Sequence, residues 1–245
     1  MDIEKIYKRW SYEDMGERFS KRSSWAQLFS SEKRIFSKLK GNLNSVLDVG
    51  CAVGGMSKVF DLMWPGINYT GLDVSVAMIN QAKTYFPQHT FIVANILSFR
   101  AATKHDLVFA TGVFQHEPQY AEAIVKLVEL ADKYVTFDCK IISANASIVD
   151  IGISYCDHND RLFYILLSFK DLLDILKKIE NIKSVYLYGY YSHVSERVVV
   201  PESIDREKVS VCQVLIEKGS SEKINWEIDL PDEFTEATNE TLNIS

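Results

Sequence analysis

Apolar and polar residues alternate in two rhythms along the first half of the chain. Short apolar runs predict strands at 45–49, 68–73, 90–94, 106–111 and 133–138. Between them, apolar residues spaced three and four apart, such as Met56, Val59, Phe60 and Met63, predict helices near 55–63, 75–86 and 118–131. Ser75 stands where a helix N-cap belongs, and Pro87 follows that helix's end. Strands alternating with helices imply a parallel sheet covered on both faces. After Asp138 the rhythm breaks. Residues 139–160 show no clear period and are expected as loops over a site, with room for a short helix or strand. A helix near 170–180 then precedes strands at 184–190 and 209–217, which read as an antiparallel closing hairpin. Residues 191–208 form an insertion carrying a short strand at 197–200.

The two ends read differently. Residues 1–40 show helical spacing at Ile3, Ile6, Tyr7 and Trp10, and again at Trp25, Leu28, Phe29, Ile35, Phe36 and Leu39. A polar, glycine-containing hinge separates the two, and Gly41 closes the second. This segment is expected as a helical cap, residues 41–218 as the main domain, and 219–245 as an acidic tail. The tail is expected to pack loosely or be disordered, with Trp226, Ile228 and Leu230 available to anchor part of it.

The densest chemical signal is Val46-Leu-Asp-Val-Gly-Cys-Ala-Val-Gly-Gly55, a strand running through a glycine turn into a helix. That is the opening of a nucleotide-binding βαβ unit. Asp73 ends the second strand about 20 residues on, where a ribose diol would be gripped. The glycine spacing selects the ligand. A dinucleotide site wants G-x-G-x-x-G facing a pyrophosphate. Here Gly50 and Gly54 are separated by three residues, and the carboxylate of Asp48 precedes the loop. An anion there disfavours a pyrophosphate and favours a ligand with an ammonium and a sulfonium, which describes S-adenosylmethionine (SAM).

The stretch resembles motif I of the class I SAM-dependent methyltransferases, D-x-G-C-G-x-G, with Ala52 in place of the middle glycine. The resemblance covers about residues 43–217. It implies a Rossmann-like, doubly wound seven-stranded α/β sheet, mostly parallel with one antiparallel strand. It also implies SAM as methyl donor and S-adenosyl-L-homocysteine (SAH) as product. Asp48, Gly50, Cys51, Ala52 and Gly54 would shape the cofactor loop, and Asp73 would hold the ribose hydroxyls. Val74 and Met78 would pack on the adenine, and Asn95 would accept from its amino group beside Ile96. Thr111 and Gly112 would lie beside the methionine portion, at the carboxyl end of the fourth strand. The stretch from Asp106 to His116 is similar to the family's D-x-V-x-x-x-x-V-x-x-H pattern, which makes His116 a candidate general base. Tyr190, Tyr191 and His193, with Tyr155 and His158, are candidates for the acceptor pocket. Arg18, Arg22 and Trp25 are candidates to close over the cofactor.

Composition narrows the rest. A formal charge of −6 argues against a broad phosphate-binding surface, so no nucleic-acid partner is expected. The four cysteines are scattered, with no zinc or disulfide spacing. No metal is expected either, because Asp138 alone is no ligand set. No apolar run approaches a signal core or a membrane span, which points to the cytoplasm. The exit loop after the fourth strand lacks the N/D-P-P-Y and Pro-Cys signatures of base- and amide-modifying enzymes. The function read is methyl transfer to an O or N atom of a small molecule or glycan. The alternatives are a non-catalytic SAM-binding regulatory or scaffold subunit, or methylation of RNA or protein.

Overall fold

The computed structural model describes residues 23–158 and 160–242, and only the backbone at 158 and 160. Two compact units divide the chain. One holds the described residues up to Thr111 together with Glu122–Thr136; the other holds Gly112–Ala121 and the residues from Phe137 on.

In the first unit the strands are β1 (Ser45–Val49), β2 (Asn68–Asp73), β3 (Thr90–Val93), β4 (His105–Ala110) and the first half of β5 (Ala131–Ile142). They lie in the order β5-β4-β1-β2-β3. β1 pairs in parallel with both β2 and β4, and β2 in parallel with β3. The helices are α1 (Ser30–Phe36), α2 (Met56–Met63), α3 (Val76–Tyr85) and α4 (Tyr120–Leu130). Each buries one stripe. On α2 the inward residues are Met56, Val59 and Phe60; on α3 they are Met78, Ile79 and Ala82. Ser75 caps α3 as expected, its hydroxyl accepting from Met78 N at 3.3 Å.

The described part of the N-terminal segment packs on the core through Leu28, Ile35 and Phe36, while Trp25 and Phe29 are exposed. A 3-10 turn at Trp25–Gln27 precedes α1, so the expected single helix is broken at Leu28 and Phe29. Phe36 is buried. It stacks on Phe109 with ring centroids 5.9 Å apart and meets Phe60 edge-on at the same separation. Truncating such a ring costs about 3–5 kcal/mol, so α1 is held by the core. The first helix of the expected cap, and Arg18 and Arg22 of the hinge, lie outside the described residues.

The second unit contains the second half of β5, a hairpin of β6 (Tyr155–His158) and β7 (Asp160–Phe163), and the short β8 (Leu167–Ser168). It continues with α5 (Phe169–Lys177), β9 (Ile182–Tyr191), β10 (Val198–Val199), β11 (Ser210–Lys218), β12 (Asn225–Asp229) and α6 (Thr235–Leu242). The sheet order is β12-β9-β11-β5, with β9 antiparallel to β11 and parallel to β12. The seven expected strands are all present as β1–β5, β9 and β11. The insertion strand at 197–200 is present as β10.

Two expectations are corrected here. The acidic tail is built in: β12 pairs with β9, and Phe234 is buried edge-on against Phe169 at 5.2 Å. Acidic side chains on the outer positions masked an apolar alternation that a strand uses. β5 does not stop at 138: it runs on to Ile142, with Cys139, Ile141 and Ile142 all buried, and the short element expected within 139–160 is β6, beginning at Tyr155.

Candidate active site

The loop after β1 is defined by its main chain. The N–H groups of Gly50 and Cys51 both donate to Leu72 O, at 2.7 and 3.1 Å, which ties the loop to the end of β2. Gly50, Ala52 and Gly54 all take left-handed backbone conformations, with φ of 74°, 47° and 79°. Alanine in that region costs roughly 1–2 kcal/mol. Its N–H is engaged, donating to Asp73 Oδ2 at 3.0 Å. Ala52 therefore keeps the geometry of the glycine it stands for.

Gly54 is required by packing as well as by φ. A Cβ there would lie 2.7 Å from Phe91 Cε1, and one at Gly71 would lie 2.7 Å from Phe91 Cδ1 and 2.8 Å from Cys51 Sγ. The buried Phe91 ring is thus a floor shared by loop and strand. Sequence reasoning missed it, since no local pattern connects Phe91 with a glycine 37 positions earlier.

Two carboxylates set the electrostatics. Asp73 accepts from Ala52 N through one oxygen and from Ser75 N through the other, at 2.8 Å. Burial pushes its carboxyl above the usual aspartate range, while the N–H groups of Ser75, Ala52 and Val74 pull it back. Each oxygen keeps acceptor capacity, which suits a diol. Asp48 is buried and accepts from the Tyr69 hydroxyl at 2.5 Å. Burial first, then the charges of Asp48 and Asp73, raise the Cys51 thiol well above its ordinary value. Cys51 is therefore a neutral packing group in a region that favours cations.

The remaining first-unit candidates divide. Met78 and Ile96 are core residues, and Val74 is half-buried. Asn95 Oδ1 accepts from Leu97 N at 2.9 Å, so the oxygen expected on the adenine is first a turn cap. Thr111 Oγ1 is buried at the end of β4 and has no hydrogen-bond partner among the described residues. An unsatisfied buried hydroxyl costs about 1–3 kcal/mol, and a ligand's polar atom would relieve it.

In the second unit, Gly112 N donates to Asp138 Oδ1 at 2.6 Å, which anchors the start of the exit loop. His116 is held at both nitrogens: Nδ1 lies 2.6 Å from Phe163 O, and Nε2 lies 3.1 Å from Gln115 Nε2. A carbonyl can only accept, so Nδ1 carries the proton and Nε2 accepts from the amide. Its second nitrogen is thus engaged within the loop. Tyr155 lies under the Arg161 guanidinium, 4.2 Å from its ring. Tyr190 and Tyr191 are exposed at the end of β9. Tyr191 and His193 line an open cleft of about 700 Å³ with Glu196, Asp205, Arg206 and Glu207. The side chain of His158 lies outside the described residues. Among the described residues, no three His, Cys, Asp or Glu side chains converge as metal ligands.

Comparison with known proteins bears on this geometry. Residues 46–132 match the family model described as a methyltransferase domain. Trans-aconitate 2-methyltransferase of Rhodopseudomonas palustris strain BisB18 is 37% identical over 83 residues, 34% of this chain and 32% of that protein. The chain thus matches about a third of the length of such curated relatives. Among solved structures, the O-methyltransferase of a trans-AT PKS multienzyme of Brevibacillus brevis, in complex with S-adenosyl-L-homocysteine, has a TM-score of 0.58 at 12% identity. It covers 87% of this chain and 82% of its own. A phosphoethanolamine N-methyltransferase 2 of Haemonchus contortus, in complex with phosphomonomethylethanolamine and S-adenosylhomocysteine, reaches 0.63 at 12% identity, covering 90% and 61%. The fold is the Rossmann-like one shared with these solved methyltransferases, and residues 46–132 are the part of the chain that matches a methyltransferase domain.

Proposed function

We propose that the chain binds SAM over the loop after β1 and transfers its methyl group to an O or N atom of a small-molecule acceptor, glycan units included. The observation that carries this reading is Asp73. Its two oxygens are fixed by Ala52 N, within the glycine loop, and Ser75 N, at the start of α3. That presents a rigid double acceptor where a ribose diol would lie, and the unsatisfied Thr111 hydroxyl offers one more polar contact.

SAM, when bound, supplies a methyl carbon made electrophilic by its sulfonium. The chain's own work is to hold and orient. Asp73 grips the ribose, Gly50 and Gly54 let the main chain approach closely, and the Asp48 and Asp73 carboxylates favour the ligand's positive charge. Fixing donor and acceptor in line supplies most of the acceleration in such a displacement. With both nitrogens engaged, His116 orders the exit loop. That same observation favours, as a second reading, a SAM-binding subunit without catalysis.

Cytoplasmic location belongs to the proposal. It is supported by four buried cysteines held as free thiols. No helix among the described residues is long and apolar enough to cross a membrane.

The test is an acceptor screen with methyl-labelled SAM over pooled small metabolites and glycans. Label transfer that is lost in Asp73→Ala supports the enzyme. SAH binding with no label transfer to any pool favours the non-catalytic reading.

A further inference from the structure

We infer that Tyr69 is a positioning residue for the ligand's ammonium group, acting through Asp48. The inference rests on the proposed SAM reading. Asp73 is held by one loop N–H and the Ser75 N–H and, in that reading, faces the ribose; Asp48 is the second carboxylate beside the loop, which we assign to the amino-acid end. Asp48 is buried, where an ionised carboxylate needs hydrogen-bond donors to persist. Tyr69 supplies one, its hydroxyl 2.5 Å from Asp48 Oδ2. Burial first, and then the Asp48 charge, hold that hydroxyl well above its ordinary value, so it remains a donor.

Tyr69 has little freedom to leave. It is buried, and its ring is packed against His89 at 5.1 Å, Phe91 at 5.7 Å and Phe60 at 6.1 Å. His89 is itself held by Asp61, with Nε2 to Oδ2 at 3.0 Å. Phe91 is the ring on which Gly54 and Gly71 rest. One aromatic cluster therefore fixes both the floor of the loop and the direction of the carboxylate. Charge-assisted bonds of this kind are short and directional, so removing the hydroxyl frees Asp48 to turn away.

The experiment compares two ligands by calorimetry. SAH carries the amino-acid end; 5′-methylthioadenosine carries the adenosine and thioether but no ammonium. Tyr69→Phe should weaken SAH about tenfold and leave 5′-methylthioadenosine within a factor of two. In an Asp48→Asn background the same change should add nothing. Asp48→Asn alone, with Tyr69 intact, should reproduce the selective loss, which keeps the test open if Tyr69→Phe folds poorly. Equal weakening of both ligands by either variant, or no weakening of SAH, overturns the inference while leaving SAM binding in place. A wild-type protein that binds neither ligand overturns the inference together with the reading beneath it.

Discussion

The loops at Gly50–Gly55 and Gly112–His116 follow the first and fourth strands, and they are built by opposite means. The first is shaped by main-chain conformation: three left-handed residues, two N–H groups on one carbonyl, and an aromatic floor that admits no Cβ. The second is shaped by side chains. Asp138 takes the Gly112 N–H, and His116 is tied to Phe163 and Gln115. The lesson is that chemically suggestive side chains mark the second loop, whereas the first, poor in such groups, is the one we propose to hold the ligand. On that proposal the first loop works through shape and two carboxylates nearby; in the second the polar groups are occupied in holding the chain.

If that contrast is right, variants should sort by loop. Gly54→Ala should have the largest effect on folding. Its Cβ would overlap Phe91, and its φ is unfavourable for alanine. Overpacking and left-handed strain together predict a loss of about 2–4 kcal/mol by urea unfolding. A loss under about 1 kcal/mol would mean the floor yields easily. Asp73→Ala should come next for binding. It removes charge-assisted hydrogen bonds worth about 1.5–3 kcal/mol, roughly tenfold to a hundredfold in SAH affinity.

The same residue gives a pH test. Burial raises the folded-state carboxyl of Asp73, so it protonates at higher pH than an ordinary aspartate. A neutral carboxyl is a poorer double acceptor. SAH affinity should therefore begin to fall, on acidification, above the usual aspartate range, and Asp73→Asn should lack that inflection. The raised value also means that ionised Asp73 costs folding free energy, a cost relieved as pH falls through it.

His116→Gln should matter less to the cofactor. It should cost roughly 1 kcal/mol of stability through lost loop hydrogen bonds and leave SAH affinity within a factor of two. A collapse of SAH binding would show that the exit loop carries ligand geometry after all. The smallest effect is expected at Ala52→Gly, which removes left-handed strain but loosens the unfolded chain. A net gain of about 0.5–1 kcal/mol is expected.

Much of the first unit was legible because its signals are local. Val46 to Gly55 announces strand, turn and helix within ten residues, and Asp73 sits at a fixed distance beyond. Ser75 marked a cap that the structure contains. Tyr69 and Phe91 were not legible as site residues. They read as ordinary strand apolar positions, and their roles come from contacts across β1, β2 and β3. His116 was legible as a motif but not as an engaged group, because Phe163 O arrives from 47 residues away. The tail was misjudged because net acidity outweighed the period-two run through Trp226 and Ile228, which β9 pairs.

The central claim is that the loop after β1, with Asp73, is a SAM site and not a dinucleotide site. Calorimetric titration of the wild-type protein with SAH and, separately, with NAD tests it most directly. Saturable SAH binding with no measurable NAD binding is the predicted result. Tight NAD binding with none for SAH would contradict it.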